Sequence, residues 1–396
     1  MKNLVETKLN LIVKCIQNKI EEFDLITNYN LSGLLNGDFG IILFLLYNAH
    51  YFEKSKDKDL IDKFIIKRLN NIGNNKLYSF SSGISGILYL FDFLKEKELL
   101  NIDISEIQNP LHNYIIQGMK VDMEKNSYDY LHGPLGVALY FLKINSCNNE
   151  INLFIDYLYN IAEKDFNNHI FKWKSLLLPI KKIGYNISLS HGIASLIIFF
   201  SRILKIGTKN PYVETMLHGA INYVLSQEID FTLYGSFFPS WIIESSPPEK
   251  SRLSWCYGDL GIAIALWQAG KATNNIKWKN KALTIFQKST YRTDLMNERI
   301  IDAGLCHGTA GVSMIYRRMF LETEIEIFRN ASKYWMEQTL NMAHFGDGLA
   351  GYKSFNSAGK WENDYSLLMG VTGIGLFINS YLRDDSQAWD EILLLS

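Results

Sequence analysis

Residues 307–316 read HGTAGVSMIY, in which a Gly-x-x-Gly pair follows a polar residue and opens a run that is apolar nearly all round. Close variants of this pattern occur seven times along the 396-residue chain. A motif repeated in this way predicts a repeat architecture, because each unit is too small to bury its apolar face alone. In chain order the copies are NGDFGIILFLL from Asn36, SGISGILYLF from Ser82, HGPLGVALYFL from His132, HGIASLIIFF from His191, YGDLGIAIALW from Tyr257, HGTAGVSMIY from His307 and MGVTGIGLFI from Met369.

The spacing of the motifs leaves room for two helices in each repeat. The leading glycines lie 46, 50, 59, 66, 50 and 62 residues apart, and amphipathic helical patterns fall between them at 58–69, 151–166 and 326–340. An open solenoid would leave one side of the apolar helices in water, so closure into a ring is favoured. We therefore predict an all-α fold, an α/α toroid or double-layer barrel of seven helix pairs. The glycines would lie at the N-termini of the inner helices, and residues 1–396 would form one domain.

Composition excludes several functional classes. The charge is nearly balanced, with 40 Lys+Arg against 41 Asp+Glu, which does not favour a nucleic-acid partner or an anionic membrane surface. Four widely spaced cysteines do not indicate a disulfide framework. The most apolar stretch, 193–200, is too short to cross a bilayer, and the first residues resemble an amphipathic helix rather than a signal peptide. We expect a cytoplasmic protein without direct membrane insertion.

The two residues before each leading glycine point to a metal site. Cys256-Tyr257 and Cys306-His307 occupy this register in successive repeats, so a toroid would bring the two cysteines together. A buried cysteine is more often a small apolar core residue, but the shared register and the adjacent His307 favour metal binding. Two Cys and one His with a fourth position open are typical of a catalytic zinc site.

Two further histidines share the register of His307. His191 precedes the fourth leading glycine, and a functional role is favoured there over helix capping. His132 precedes the third leading glycine beside Leu131, and both interpretations stay open for it. If the ring closes, all seven inner-helix N-termini face one side, which favours anionic groups there.

Four motifs together resemble the LanC family of lanthionine synthetase cyclases. They are SRLSWCYGDLG at 251–261, GLCHGTAG at 304–311, SYDYLHGPLG at 127–136 and SLSHGIA at 188–194, and the likeness extends over essentially the whole chain. The resemblance implies an α/α toroid with one Zn²⁺ per chain, for which Cys256, Cys306 and His307 match the family's ligands. It also implies a lanthionine synthetase: the thiol of a precursor-peptide cysteine adds to dehydroalanine or dehydrobutyrine and forms a (methyl)lanthionine ring.

The same resemblance assigns the residues around the metal. His191 matches the histidine of the family's HG motif, and Asp129 matches its acidic residue near the metal. Because the addition must end with a proton transfer, we expect His191 to act as general acid, with Asp129 orienting it or relaying protons. Arg252 matches an arginine that lines the site, and Tyr257 follows the first zinc cysteine. His132 departs from the family pattern, so it could share the acid/base role.

The resemblance also implies partners. The substrate would be a dehydrated ribosomal precursor peptide, and a separate dehydratase is expected because no dehydratase region is attached. An export transporter complex is left open as a further partner, with the enzyme peripheral to a membrane-associated assembly. Alternatives are a LanC-like enzyme that adds glutathione or another free thiol to dehydroamino acids in proteins, and a non-catalytic peptide-binding scaffold. An α/α-toroid glycosidase is disfavoured, because it would need paired carboxylates.

One segment differs from the repeats. Residues 231–254, FTLYGSFFPSWIIESSPPEKSRLS, are aromatic, contain prolines and have a β-like pattern. This segment would form either a lid that contacts the peptide or an ordinary connection between repeats.

Overall fold

Helices make up most of the protein. The computed structural model describes residues 2–23, 33–52, 58–146, 148–177, 180–207, 210–244, 246–383 and 386–396. The helices are α1 (Lys2–Phe23), α2 (Phe39–Phe52), α3 (Lys58–Asn70), α4 (Ile84–Glu96), α5 (Ser105–Met123), α6 (Pro134–Lys143), α7 (Asn148–Ile161), α8 (Ile193–Ile206), α9 (Val213–Ser226), α10 (Phe231–Tyr234), α11 (Asp259–Ala272), α12 (Ile276–Ser289), α13 (Thr309–Thr323), α14 (Glu326–Asn341) and α15 (Val371–Arg383), with 3₁₀ helices at Ile72–Asn74 and Ala388–Leu393.

Each glycine motif opens a buried helix, as predicted. Helices α4, α6, α8, α11, α13 and α15 begin at the residue after the leading glycine, and α2 begins two residues after it. In α8 every residue of the range 193–201 is buried. In contrast, α12 buries positions 278, 282, 285, 286 and 289, which form one stripe at helical spacing. The apolar and amphipathic helices therefore alternate as the sequence indicated.

The strands between residues 163 and 186 were not predicted from the sequence. The strands are β1 (Glu163–Asp165), β2 (Ile170–Lys172), β3 (Ser175–Leu177), β4 (Lys182–Asn186), β5 (Trp241–Ile242), β6 (Ser354–Phe355) and β7 (Trp361–Glu362). They pair antiparallel as β1-β2, β3-β4-β5 and β6-β7. All of them fall in the three longest intervals between leading glycines, those of 59, 66 and 62 residues. The extra length of these intervals was therefore the signal in the sequence that could have indicated additional structure between the helices.

The β-like segment 231–254 is mostly irregular in its described part. It starts with the short helix α10 and contributes the two-residue strand β5, which pairs with β4 through Tyr185 opposite Ile242 and Asn186 opposite Trp241. Whether it acts as a lid stays a prediction.

Close backbone approach explains the second glycine of the motif. A Cβ atom at Gly311 would lie 1.9 Å from the Leu305 carbonyl oxygen, so the helix could not pack there with a side chain. The fourth motif departs from the pattern with Ser195, which is buried and donates its hydroxyl to the Gly192 carbonyl at 2.6 Å. The exception is thus compatible with the turn because its polar atom has a partner.

The described chain divides into two compact units. Unit 1 comprises Met1–Gly118, Asp302–Met314 and Lys333–Ala388, and unit 2 comprises Met119–Ile301, Ile315–Ser332 and Trp389–Ser396. The single domain over 1–396 therefore stays a prediction. None of the described helices is both long and apolar enough to cross a membrane.

Main-chain hydrogen bonds link successive motifs within each unit. In unit 1, Cys306 N–H donates to the Leu368 carbonyl, Leu368 N–H to the Leu35 carbonyl and Leu35 N–H to the Ser81 carbonyl, at 3.0, 2.9 and 2.9 Å. In unit 2, Ser190 N–H donates to the Cys256 carbonyl at 3.3 Å. The seventh motif thus lies directly beside the first, as closure of the repeats requires.

Candidate metal centre

Three predicted ligands come together in the structure. The ligand atoms of Cys256, Cys306 and His307 all lie within 4.8 Å of one another. Cys256 is 4% exposed, while Cys306 and His307 are half-buried. Bonds of about 2.3 Å to sulfur and about 2.0 Å to nitrogen would place such atoms roughly 3.5–3.8 Å apart around a tetrahedral ion. The group therefore needs to contract by at most about 1 Å to hold a metal ion.

The turns before the inner helices place these ligands. Each ligand lies one or two residues before a leading glycine, so it is fixed just outside the N-terminus of α11 or α13. At Gly258 the turn requires glycine, since φ is +92° and an added Cβ would lie 2.5 Å from the Arg252 carbonyl oxygen. The backbone on the C-terminal side of Cys256 is thereby constrained.

Asp129 and His191 form a hydrogen-bonded pair. Asp129 Oδ2 lies 2.6 Å from His191 Nδ1, and Asp129 Oδ1 accepts the main-chain N–H of His132 at 2.8 Å. An ionised carboxylate can only accept, so Nδ1 of His191 carries the proton. The other ring nitrogen, Nε2, is then available as an acceptor in the neutral ring or as a second donor in the charged one.

The pair favours the charged form of both groups. Burial alone would raise the pKa of Asp129, but the charge and hydrogen bond of His191, together with His132, hold it below its usual range. Burial alone would lower the pKa of His191, but the charge and hydrogen bond of Asp129, with a smaller effect of Cys256, raise it. An imidazole stabilised as the cation is suited to hold a proton for delivery.

A repeated turn explains why Asp129 is in this place. The residue four before the leading glycine accepts the N–H of the residue just before that glycine: Ser188 from His191 at 3.2 Å, and Ser254 from Tyr257 at 3.2 Å. Asp129 makes the same bond to His132, and its second oxygen remains for His191. The third motif thus has a carboxylate at a position where its neighbours have serine.

His132 stacks on His191. Their ring centroids lie 5.6 Å apart with an interplanar angle of 24°. Burial, opposed by the charge of Asp129, lowers the pKa of His132. His132 therefore tends to stay neutral, and the positive charge of the two rings is concentrated on His191.

Tyr257 lies against His191, with their ring centroids 6.1 Å apart. Trp241, which was not singled out from the sequence, packs edge-on against the Tyr257 ring at 5.8 Å. Ser254 was also missed: its Oγ lies 3.5 Å from Cys256 Sγ. The shared register of Ser188 and Ser254 with Asp129 was the signal that could have found it.

Arg252 is half-buried, four residues before Cys256. Its loop is held by a buried arginine that sequence reasoning did not identify. Arg292 donates to Asp259 Oδ2 at 2.7 Å, to Glu298 Oε2 at 2.7 Å and to the Ser251 carbonyl at 2.6 Å. The loop is therefore anchored just before Arg252, and α11 just after Gly258.

Comparisons with known proteins agree with this fold. The profile of the family described as "Lanthionine synthetase C-like protein" matches residues 30–394. The chain is 23% identical to "Nisin biosynthesis protein NisC" of Lactococcus lactis subsp. lactis, over 90% of this chain and 87% of that protein. It is similar to the solved structure of "Nisin cyclase", with a TM-score of 0.76, 20% identity and 97% of each chain covered.

The chain belongs to the lanthionine synthetase C-like family. The predicted family is therefore confirmed. The predicted enzyme class, a lanthionine synthetase, is confirmed as well. The structural likeness confirms the predicted fold class, an all-α α/α toroid.

Proposed function

We propose that this protein is a zinc-dependent lanthionine cyclase. It would join cysteine thiols of a dehydrated precursor peptide to dehydroalanine or dehydrobutyrine in the same peptide, forming (methyl)lanthionine rings. The observation that carries the proposal is the Cys256, Cys306 and His307 group, whose ligand atoms lie within 4.8 Å of one another, in a chain of this family. The donor set supports zinc because thiolate and imidazole ligands suit it.

The three side chains would hold the ion and leave a position for the substrate. When bound, zinc lowers the pKa of a substrate thiol, so that the thiolate, which is the nucleophile, is available near neutral pH. The two cysteinates cancel the double charge of the ion, which should keep an added thiolate electron-rich. Ser254, 3.5 Å from Cys256 Sγ, would help fix that ligand.

His191 would deliver the proton that completes the addition. The new S–C bond forms at the β-carbon of the dehydro residue, the C=C electron pair moves toward the adjacent carbonyl, and the α-carbon must then gain a proton. The thiol loses one proton and the α-carbon gains one, so the overall reaction needs no other reactant. Asp129 holds His191 Nδ1, which leaves Nε2 to face the substrate.

Arg252 would stabilise the enolate oxygen that develops during the addition. Cations and preorganised N–H groups aimed at developing charge are among the largest catalytic contributions. The N-termini of the inner helices add partial positive charge in the same sense. Tyr257, whose ring lies beside that of His191, would limit the orientations of the histidine.

The remaining predictions about the cellular setting are part of the same proposal. A separate dehydratase would supply the substrate, and an export transporter complex is a candidate partner. The protein would work in the cytoplasm, either free or peripheral to a membrane-associated complex.

The test is an incubation of purified protein with a dehydrated peptide that contains free cysteines. We expect free thiols to disappear without a change in peptide mass, because the addition is an isomerisation. His191→Gln should slow this roughly 10²–10⁴-fold, the usual range for a general acid, with metal content unchanged. The matched control is His218→Gln, at a histidine whose ring packs against Trp278, and it should leave the rate unchanged.

Thiols that persist while added glutathione gives adducts would instead identify an enzyme that uses free thiols. Binding of the peptide without either product would identify a scaffold. Either result would contradict the cyclase proposal.

A further inference from the structure

Residues 389–396 form a buried segment within unit 2. The side chains of Trp389, Ile392, Leu393, Leu394 and Leu395 are at most 1% exposed. Residues 389–393 belong to a 3₁₀ helix. The last carbonyl groups of a helix have no partner within it, so they can accept hydrogen bonds from side chains. Buried carbonyls need donors, so the side chains that supply them are informative.

One donor belongs to the turn that carries Asp129. Tyr130 is fully buried, and its hydroxyl donates to the Ile392 carbonyl at 2.5 Å. This bond joins positions 262 residues apart in the sequence. The backbone immediately after Asp129 is therefore tied to the segment.

A second donor belongs to the turn that carries Cys256. Trp255 is fully buried, and its Nε1–H donates to the Leu393 carbonyl at 2.7 Å. The residue before the candidate metal ligand and the residue after Asp129 thus bond to consecutive carbonyls of one segment.

Other polar side chains hold the segment in place. They come from helices α6, α8, α11 and α13. The pairs are Lys143 with Glu391 at 2.7 Å, Arg202 with the Glu391 carbonyl at 3.3 Å, Gln268 with the Leu394 carbonyl at 2.7 Å and Arg318 with Asp390 at 2.7 Å. Four inner helices of the predicted ring therefore fix the same short stretch of chain.

We propose that residues 389–396, here called the clasp, are a positioning device that holds the Asp129 turn and the Cys256 turn at a fixed separation. Tyr130 and Trp255 are its positioning residues. The proposal rests on the proposed function, in which Asp129 acts through His191 while Cys256 binds the metal. An acid and a ligand on two different motifs need a common support, because misplacement by about 1 Å costs orders of magnitude in rate.

The test removes single donors and compares each variant with a matched control. Tyr130→Phe and Trp255→Phe remove the two bonds to the clasp. Tyr114→Phe and Trp173→Phe make the same chemical changes at residues that donate to other carbonyls, those of Lys76 and Leu158. The measurements are the melting temperature, Zn²⁺ affinity by competition with a chromophoric chelator, kcat and KM for cyclisation, and the NMR shifts of His191.

Each of the four variants loses one hydrogen bond and should lower the melting temperature. Trp255→Phe should also weaken Zn²⁺ binding about threefold to tenfold, less than the roughly 10–100-fold typical of residues that bond directly to a metal ligand, whereas Trp173→Phe should change it less than twofold. Tyr130→Phe should lower kcat about threefold to tenfold at constant KM and shift the His191 resonances, whereas Tyr114→Phe should not.

Equal Zn²⁺ affinities within the tryptophan pair, together with equal kcat values and His191 shifts within the tyrosine pair, would overturn the clasp. Failure of the wild-type protein to form thioethers would overturn the proposed function instead. In that case Zn²⁺ affinity and the His191 shifts still decide the clasp by themselves.

Discussion

A single side chain distinguishes the turn that carries Asp129 from the equivalent turns of two other motifs. Ser188 and Ser254 accept the N–H three residues later, and Asp129 makes the same bond in the third motif. The carboxylate differs by offering a second oxygen, which binds His191 Nδ1 at 2.6 Å. The position is set by the repeat, and the chemistry is set by the residue type.

Asp129→Ser tests this division. Serine keeps the turn bond, so the melting temperature should change little. The carboxylate that raises the pKa of His191 is lost, so that pKa should fall, and cyclisation should slow by roughly 10-fold or more. An NMR titration of His191 and a rate assay measure both effects, and an unchanged pKa of His191 would contradict the proposed pairing.

Gly258, directly before α11, constrains the backbone beside the candidate metal centre. Gly258 combines a φ of +92° with an added Cβ that would meet the Arg252 carbonyl oxygen at 2.5 Å. Gly207 provides a comparison, since its φ is +82° and nothing lies within 4 Å of an added Cβ. Its ψ of +18° places it in the left-handed region, which other residues can enter at a cost, whereas the ψ of −158° at Gly258 belongs to a region that is essentially restricted to glycine.

Gly207→Ala should therefore lower the free energy of unfolding by about 1–2 kcal/mol, the cost of the left-handed conformation for a residue with a side chain. Gly258→Ala should cost clearly more and should weaken metal binding, because Cys256 is two residues away. Urea unfolding and Zn²⁺ titration measure these effects. Equal costs at the two positions would contradict a specific requirement for glycine at 258.

Two inner helices begin with a buried aspartate that pairs with an arginine. Asp38 at the start of α2 lies 3.1 Å from Arg68 on α3, and Asp259 at the start of α11 lies 2.7 Å from Arg292. The NGDFG and YGDLG motifs share this residue. Each pair joins an inner helix to the amphipathic helix of the same repeat or to the turn after it.

The Asp38 pair predicts a pH dependence of stability. Burial raises the pKa of Asp38 to about 6, although Arg68 and Lys19 oppose the effect. Between about pH 3.8 and 6 the folded state then binds more protons at this site than the unfolded state, so stability falls as pH rises through that window. The site's contribution is complete below the window and is lost above it.

We therefore expect the stability of the wild type relative to Asp38→Asn to fall by about 2 kcal/mol between pH 4 and 6.5. Parallel urea unfolding curves of the two proteins measure this difference. A difference that is constant with pH would show that Asp38 ionises normally in the folded state.

At the scale of the whole molecule, metal binding should stabilise the fold. A ligand that binds only the folded state adds about 2.7 kcal/mol at 100 times its dissociation constant. Elemental analysis should find about one zinc per chain, and a chelator should lower the melting temperature. Cys306→Ala should abolish both effects, whereas Cys15→Ala, at a half-buried cysteine outside the ligand group, should leave both unchanged. An active protein free of zinc would contradict the proposed chemistry.

Much of the molecule could be predicted from the sequence, because its main signals are local. Six of the seven inner helices begin at the residue after a leading glycine, since the turn and the helix start are specified within a few residues. The shared register of Cys256 and Cys306 predicted their proximity, because repeats place equivalent positions side by side. The strands at 163–186 were missed, since segments of three to five residues carry little periodic signal.

The sequence by itself thus determined the repeat, the fold class and the three candidate ligands. The tertiary structure alone decided that Asp129 binds His191, that Trp241 packs on Tyr257, and that Tyr130 and Trp255 meet at residues 392 and 393. The physical reason is that the repeat register determines only which motifs are neighbours. Whether two side chains form a hydrogen bond depends on differences of a few tenths of an ångström in the distance between them. Such distances are set by packing between segments as far as 262 residues apart.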